Sequence, residues 1–254
     1  MIDDFTPIVH RLRGRPVKVW AVADVHIGAR EADIDGFAAF LKRVENDPDS
    51  YLVIVGDILN NGTRDSLTNV YEETMPPSAQ VDFAAELLAP VAGKILAAVG
   101  GNHEHRSVKA VDLDPLFQVF SIMRIPDVYR QNFAFVRVVL ERGNTTDHYA
   151  LYLTHGKSAS KQRQFARGAV EGVDAVIAGH THNGSIEKHA RMVFSNRNAI
   201  SIKPLISMTA TSWLNYGGYS ARGQFIPSAT SDPQALLLGW TGSNRVDGQI
   251  SVIW

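Results

Sequence analysis

The chain has 254 residues, enough to bury a substantial core, and its 45% apolar and 20% charged content is that of an ordinary globular protein. Twenty-five basic and 26 acidic residues leave a net charge of −1, which argues against a broad nucleic-acid-binding surface while allowing a local basic patch. The absence of cysteine excludes disulfides, thiolate-bound zinc, iron–sulfur clusters and a cysteine nucleophile. Met1 to Arg15 carries Asp3, Asp4, His10, Arg11 and Arg13 among isolated apolar residues, so no signal peptide is expected. No run approaches the roughly 18 to 20 apolar residues of a membrane span, and a cytoplasmic, non-membrane protein is the expectation.

Val17 to Ala23 is the first run rich in β-branched and aliphatic residues and reads as a strand. Ile34, Phe37, Ala38, Leu41 and Val44 then recur at helical spacing behind the acidic start Asp33 and Asp35, which predicts an amphipathic helix. Tyr51 to Val55 is a second strand, Val81 to Val91 a second helix, and Lys94 to Val99 a third strand. Asp114 to Met123 predicts a short helix, Phe133 to Leu140 a strand, Glu141 to His148 a polar turn, and Tyr149 to Thr154 a further strand. A basic helix is expected over Lys157 to Gly172, followed by a strand at Asp174 to Ala178. Beyond residue 185 the helical period fades. Met192 to Phe194, Leu205 to Thr209, Leu236 to Trp240 and Gln249 to Trp254 read as strands, expected to form a second sheet packed on the first. Strands alternating with helices predict a layered α/β fold with largely parallel central strands. No repeat or linker divides the chain, so residues 1–254 are expected to form one domain.

Five polar signatures each follow one of these apolar runs. They are Asp24-Val25-His26, Gly56-Asp57-Ile58-Leu59-Asn60, Gly101-Asn102-His103-Glu104, His155-Gly156 and Gly179-His180-Thr181-His182. In open α/β sheets, ligands bind beyond the carboxyl ends of the strands, where loops converge. That placement would bring Asp24, His26, Asp57, Asn102, His155, His180 and His182 to one rim. Carboxylate and imidazole donors without thiolate suit manganese, iron, zinc or related ions. Asp57, after the central run, is the residue placed to bridge two ions through its two oxygens. Taken singly, Gly-Asp after a strand is commonly a turn and Asp-x-His arises by chance; the ordered set of five does not.

As a set, the signatures resemble the calcineurin-like metallophosphoesterases over residues 24 to 182. The resemblance implies a four-layer αββα sandwich of two mixed β-sheets flanked by helices. It also implies two divalent metal ions, manganese being favoured. One ion would be held by Asp24, His26, Asp57 and His182, the other by Asp57, Asn102, His155 and His180. His103 matches the family's active-site histidine, which contacts the phosphoryl group or protonates the leaving oxygen. Glu104, where many members carry aspartate, is expected to orient His103. The implied reaction is phosphoester hydrolysis by in-line attack of a hydroxide held between the ions. A phosphodiester in nucleic acid or a small nucleotide is the leading substrate class, and a phosphomonoester of a nucleotide, metabolite or phosphoprotein the alternative. A catalytically silent scaffold is a third reading, disfavoured because all seven ligand types and His103 are present.

Other signals are weaker. Gly156-Lys157-Ser158 mimics the end of a phosphate-binding P-loop, but Leu151 stands where the first glycine belongs. Lys157, Lys161, Arg163 and Arg167 read either as a track for an anionic substrate or as the solvated face of a helix. Asn60, Arg64, His105 and Arg106, near the signatures, are candidate substrate contacts together with Lys157. Trp213, Tyr216 and Tyr219 form either an aromatic substrate wall or a packed loop. His10, His148 and His189 lack motif context and are expected at the surface. A homo-oligomer is compatible with the sequence.

Overall fold

The computed structural model describes residues 3–13, 16–64, 66, 70–158, 170–194, 198–218, 221, 232–239 and 250–253. Parallel strands buried on both faces need continuous apolar sequence, and the centre of the fold has it. After β1 (Ile8–Arg13) come β2 (Val17–Val22), β3 (Ser50–Val55) and β4 (Ile95–Val99), the last three pairing in parallel. Short β5 (Tyr129–Arg130) continues the parallel order beyond β4. Alternate side chains divide between two cores, as the strand period requires. Val19, Ala21, Val53 and Val55 face a second sheet, whereas Trp20, Val22, Leu52 and Ile54 face helices.

Those helices are α1 (Ile34–Asn46), α2 (Pro77–Leu88) and, after α3 (Glu104–Val111), α4 (Pro115–Ile122). Asp33 caps α1 by accepting the Gly36 N–H at 3.0 Å, and Asp114 caps α4 through the Phe117 N–H at 3.0 Å. Phe37, Phe40 and Leu41 of α1, Ala84 and Leu88 of α2 and Phe120 of α4 cover one face of the first sheet.

The second sheet contains β6 (Phe133–Arg142), β7 (Thr145–Thr154), β8 (Ala175–Ala178), β9 (Ser185–Phe194) and β10 (Ile200–Thr209). Its order is β1-β6-β7-β8-β10-β9. The first sheet is completed by β11 (Ala235–Leu238) and β12 (Ile250–Ile253), giving β12-β11-β2-β3-β4-β5. Both sheets mix parallel and antiparallel pairs. Together with the flanking helices they form a four-layer αββα sandwich. Val170 and Val173 pack with Tyr152, Val176 and Leu205 in a third core. No helix among the described residues is long and apolar enough to cross a membrane.

Several elements depart from the sequence expectations. α3 begins at Glu104, directly on the third signature, where no helix is predicted, and β1 is an unpredicted edge strand. The polar turn expected over Glu141 to His148 shrinks to Gly143 and Asn144. Arg142 pairs with Thr145, and Gly143 takes φ +58°, as primed hairpin turns demand. The C-terminal strands do not build a sheet of their own. β9 and β10 join the second sheet while β11 and β12 extend the first. β9 and β10 are also longer than expected, pairing from Phe194–Ile200 to Ser185–Thr209. Most of the basic helix expected over Lys157 to Gly172 lies outside the described residues, as does Trp240.

Asp47 joins three elements. It terminates α1, pairs with Lys18 of β2, and accepts the Ser50 hydroxyl at 2.7 Å and the Asp49 N–H at 3.1 Å. Burial alone would raise its carboxyl, but the bonds from Lys18, Ser50 and Asp49 outweigh it and bring the pKa from 3.8 to about 2. A depressed native pKa contributes stability above the unfolded value and loses it as pH falls through the native one. Urea unfolding of the parent protein should therefore show stability declining between about pH 4 and 2. The Asp47→Asn variant should be less stable at neutral pH and show a shallower acid decline.

Candidate metal centre

Strands β2, β3, β4, β7 and β8 all deliver their signature residues to one rim. The loops after β2 and β3 are zipped together beyond the strands. Asp24 N–H donates to Gly56 O at 3.1 Å, His26 N–H to Asp57 O at 3.1 Å, and Asn60 N–H to Ile27 O at 2.8 Å. Gly179 N–H donates to His155 O at 3.2 Å, tying the last two loops together.

This convergence is tight enough to need glycine. A Cβ on Gly56 (φ +88°) would lie 2.6 Å from both Gly101 Cα and His155 Nδ1, and one on Gly101 would lie 2.2 Å from Asp57 Oδ1. Asp24, His26, Asp57, His180 and His182 themselves adopt φ between +52° and +74°. Left-handed backbone at non-glycine residues costs on the order of 1–3 kcal/mol each and persists only where the surroundings enforce it. Its concentration on these five residues marks the rim as built for side-chain placement.

The result is two candidate metal-binding clusters. Ligand atoms of Asp24, His26 and His182 lie within 4.8 Å of one another, as do those of Asp57, His155 and His180. A third grouping, His26, Asp57 and His103, overlaps both. Asn102 Oδ1 sits 3.0 Å from His155 Nε2 and 2.8 Å from His180 Nδ1. His155 donates its Nδ1–H to Val55 O at 2.7 Å, which directs Nε2 at Asp57 Oδ2, 3.2 Å away. A second-sphere bond of that kind fixes ring orientation in metal sites.

The donor set fits cations. Asp24 Oδ1 is buried and, among the described residues, accepts no hydrogen bond, with His182 Nε2 3.5 Å away. Burial would hold His155 neutral, yet the Asp57 charge, its hydrogen bond and Asp24 raise the imidazole to about 10. Asp57 is pushed up by burial, but His155 and His103 outweigh that and hold it well below the usual carboxylate range. A field that draws a proton onto a buried imidazole suits divalent cations.

His103 lies beside the clusters, its Nε2 3.8 Å from Asp57 Oδ2 and its ring edge-on to His26 with centroids 4.4 Å apart. Nδ1 meets Asn60 O at 2.7 Å and Nε2 meets Arg106 Nη2 at 2.9 Å. Because guanidinium only donates, this pairing places the proton on Nδ1. Burial lowers the His103 pKa; the Asp57 charge opposes this and Arg106 reinforces it.

Glu104 does not orient His103 as expected. Fully buried, it accepts the N–H groups of Asp57 and Leu59 at 3.0 Å each and of Gly101 at 2.8 Å. It therefore staples the loop after β3 to the loop after β4. Burial and the Asp57 charge push its carboxyl up to about 7 against the pull of those bonds.

The remaining candidates are dispersed. Asn60 is buried and donates Nδ2 to Glu73 at 2.7 Å, while Arg106 Nη1 donates to Asn60 O at 3.2 Å. Arg64 and Lys157 are exposed. His105 is committed to Gln131 O at 3.1 Å, and its ring is not among the clustered ligands. Lys161, Arg163, Arg167 and Tyr219 lie outside the described residues. Trp213 is a core residue, packed on Phe37 and Phe40 at 5.1 and 5.2 Å, and its main-chain N–H donates to Asp24 O at 3.1 Å. Tyr216 is exposed. Of the histidines expected at the surface, His148 is exposed. His10 instead reaches Leu96 O at 2.6 Å, and half-buried His189 meets Glu187 at 3.2 Å.

Fold and clusters together support a metal-dependent hydrolase. Residues 17–184, more than half of the chain, match the family model described as calcineurin-like phosphoesterase, and the chain belongs to that family. No curated protein matches. Among solved structures, the chain is similar to the NAD nucleotidase of Haemophilus influenzae, with 10% identity and a TM-score of 0.48. That match covers 94% of this chain and 49% of the nucleotidase, so the chain spans about half of its length. Vps29 from Entamoeba histolytica, complexed with zinc, is 17% identical (TM-score 0.35), covering 93% of this chain and 97% of that one. A metallophosphoesterase from Sphaerobacter thermophilus is 13% identical (TM-score 0.39), with 80% of each chain covered. At these identities and scores none of the three bears on activity.

Removing the Glu104 carboxylate leaves three buried N–H groups without their acceptor, at about 1–3 kcal/mol each. Glu104→Ala should accordingly destabilise the protein by more than about 3 kcal/mol in chemical denaturation. Glu104→Gln, which keeps one acceptor oxygen, should cost visibly less.

Proposed function

We propose that the two clusters hold two divalent cations and that the protein hydrolyses phosphodiesters, in nucleic acid or a small nucleotide. Asp24, His26, Asp57 and His182 would hold one ion, and Asp57, Asn102, His155 and His180 the other, with manganese the first ion to test. When bound, such ions supply the positive charge and acidified water that phosphoester hydrolysis requires. The observation that carries the reading is the placement of Asp57. It lies in the groupings with His155 and His180 and with His26 and His103, the arrangement a shared ligand needs.

The chain's own residues account for the rest. His103 stands at the edge of the clusters as the group facing the leaving oxygen or the phosphoryl group. It takes one proton-bearing nitrogen to Asn60 O and leaves the other toward Arg106. Arg106, bonded directly to that imidazole at 2.9 Å, is positioned to meet an anionic oxygen and to release Nε2 when it does. Buried Glu104 and the left-handed loops hold these groups rigid, which favours transition-state stabilisation over reorganisation. The preference for diesters rests on Lys157, Lys161, Arg163 and Arg167 directly after His155, a basic run suited to an extended anionic substrate.

With manganese added, His103→Ala should retain bound metal and fold but lose about 10² to 10⁴ in kcat. Undiminished turnover in that variant would remove His103 from the mechanism. Chromogenic diesters and monoesters tested side by side should show faster turnover of diesters. A strong monoester preference would replace the diesterase reading with a phosphomonoesterase.

A further inference from the structure

Outside both clusters, a chain of hydrogen bonds runs from the half-buried Glu73 into the interior and ends on His103. It begins at Glu73, in the segment preceding α2, which belongs to none of the ligand groupings. Glu73 Oε1 accepts Asn60 Nδ2 at 2.7 Å and the Gly62 N–H at 2.7 Å. Its Oε2 accepts Gln80 Nε2 at 2.9 Å. Gln80, fully buried on α2, turns its own oxygen to the Asn61 N–H at 2.8 Å. Asn61 then donates Nδ2 to the His103 carbonyl at 2.7 Å and accepts the Ser107 hydroxyl at 3.0 Å.

Residues 60–62 are thus gripped from one side by Glu73 and Gln80 and from the other by α3. The grip is needed because Asn61 sits at φ +43°, a conformation the loop would not hold unaided. What the grip fixes is the Asn60 carbonyl. That oxygen accepts both His103 Nδ1–H, at 2.7 Å, and Arg106 Nη1, at 3.2 Å. A carbonyl bonded to one imidazole nitrogen sets the ring's tautomer and its plane. If the peptide could rock, His103 and Arg106 would swing together.

We propose that Glu73 is a positioning residue, which anchors Asn60 and thereby sets the orientation of His103 for the reaction on the phosphoester. The inference rests on the proposed role of His103. A carboxylate that merely stapled a loop would affect stability and substrate affinity without depending on His103. One that acts through His103 affects turnover only while that imidazole is present.

The test is a double-mutant cycle on the manganese-loaded protein, using the chromogenic phosphoester that the parent turns over fastest. Glu73→Ala should lower kcat by about ten- to a hundredfold, the scale of a small misplacement of a reacting group. KM and bound manganese should stay within about twofold. Glu73→Gln, which keeps an oxygen for Asn60 and Gly62, should recover most of the loss. In a His103→Ala background, Glu73→Ala should cost nothing further, because coupled residues are not additive. Should Glu73→Ala fail to fold, Asn60→Ala decides the matter. It removes the handle Glu73 holds and leaves the Gly62 and Gln80 bonds in place, and the same loss, absent without His103, is expected. An unchanged kcat in these variants, or an equal loss with and without His103, overturns the inference while leaving the functional reading intact. Full turnover in His103→Ala alone would sink the reading of His103, and this inference with it.

Discussion

The buried carboxylate of Asp57 is the constraint around which the rim of the sandwich is arranged. Its N–H donates to Glu104, its carbonyl accepts the His26 N–H, and its Oδ1 accepts the His103 N–H at 2.8 Å. Its Oδ2 faces His155. One residue thereby joins the loops that leave β2, β3, β4 and β7. Removing a carboxylate from water costs several kcal/mol unless charge and hydrogen bonds compensate. Here main-chain N–H groups and imidazoles supply the compensation, and the fold must hold those partners in place.

Holding them is itself costly, and the structure shows where. Five left-handed residues cluster at the rim, and Gly56 and Gly101 approach so closely that no side chain fits between their loops. Glu104 keeps a carboxyl raised to about 7 inside the protein to staple two of those loops. Such features oppose folding individually and persist because the two apolar cores on either side of the first sheet are continuous beneath them. Stability drawn from burial in the layers is offset by strain at the site, a pattern common to functional positions.

The central strands and their exits were legible in the sequence because strands buried on both faces read as uninterrupted apolar runs. Val19 to Val22 and Tyr51 to Val55 are of that kind. α1 is legible from its apolar spacing behind the acidic start at Asp33, and α4 as the short helical run opening at Asp114. α3 was not, because Glu104, His105, Arg106, Ser107 and Lys109 offer almost no apolar face; its one buried side chain is Glu104. β1 is not legible because His10, Arg11 and Arg13 break the apolar run of an edge strand. At the site, the signatures marked which side chains would converge, since each is local. The roles of Glu104 and Glu73 are set by long-range contacts. Adjacent residues on a helix do not face each other, so Glu104 turns to the main chain of another loop, away from the His103 ring. Glu73 sits in no motif, and only the folded loop brings it to Asn60.

Asp57 as a shared ligand of two ions is the centre of this account. Anomalous diffraction from crystals grown with manganese tests it most directly. Two peaks are expected, both bonded to Asp57, one completed by Asp24, His26 and His182 and the other by Asn102, His155 and His180. A single peak, or two peaks of which only one touches Asp57, would contradict it.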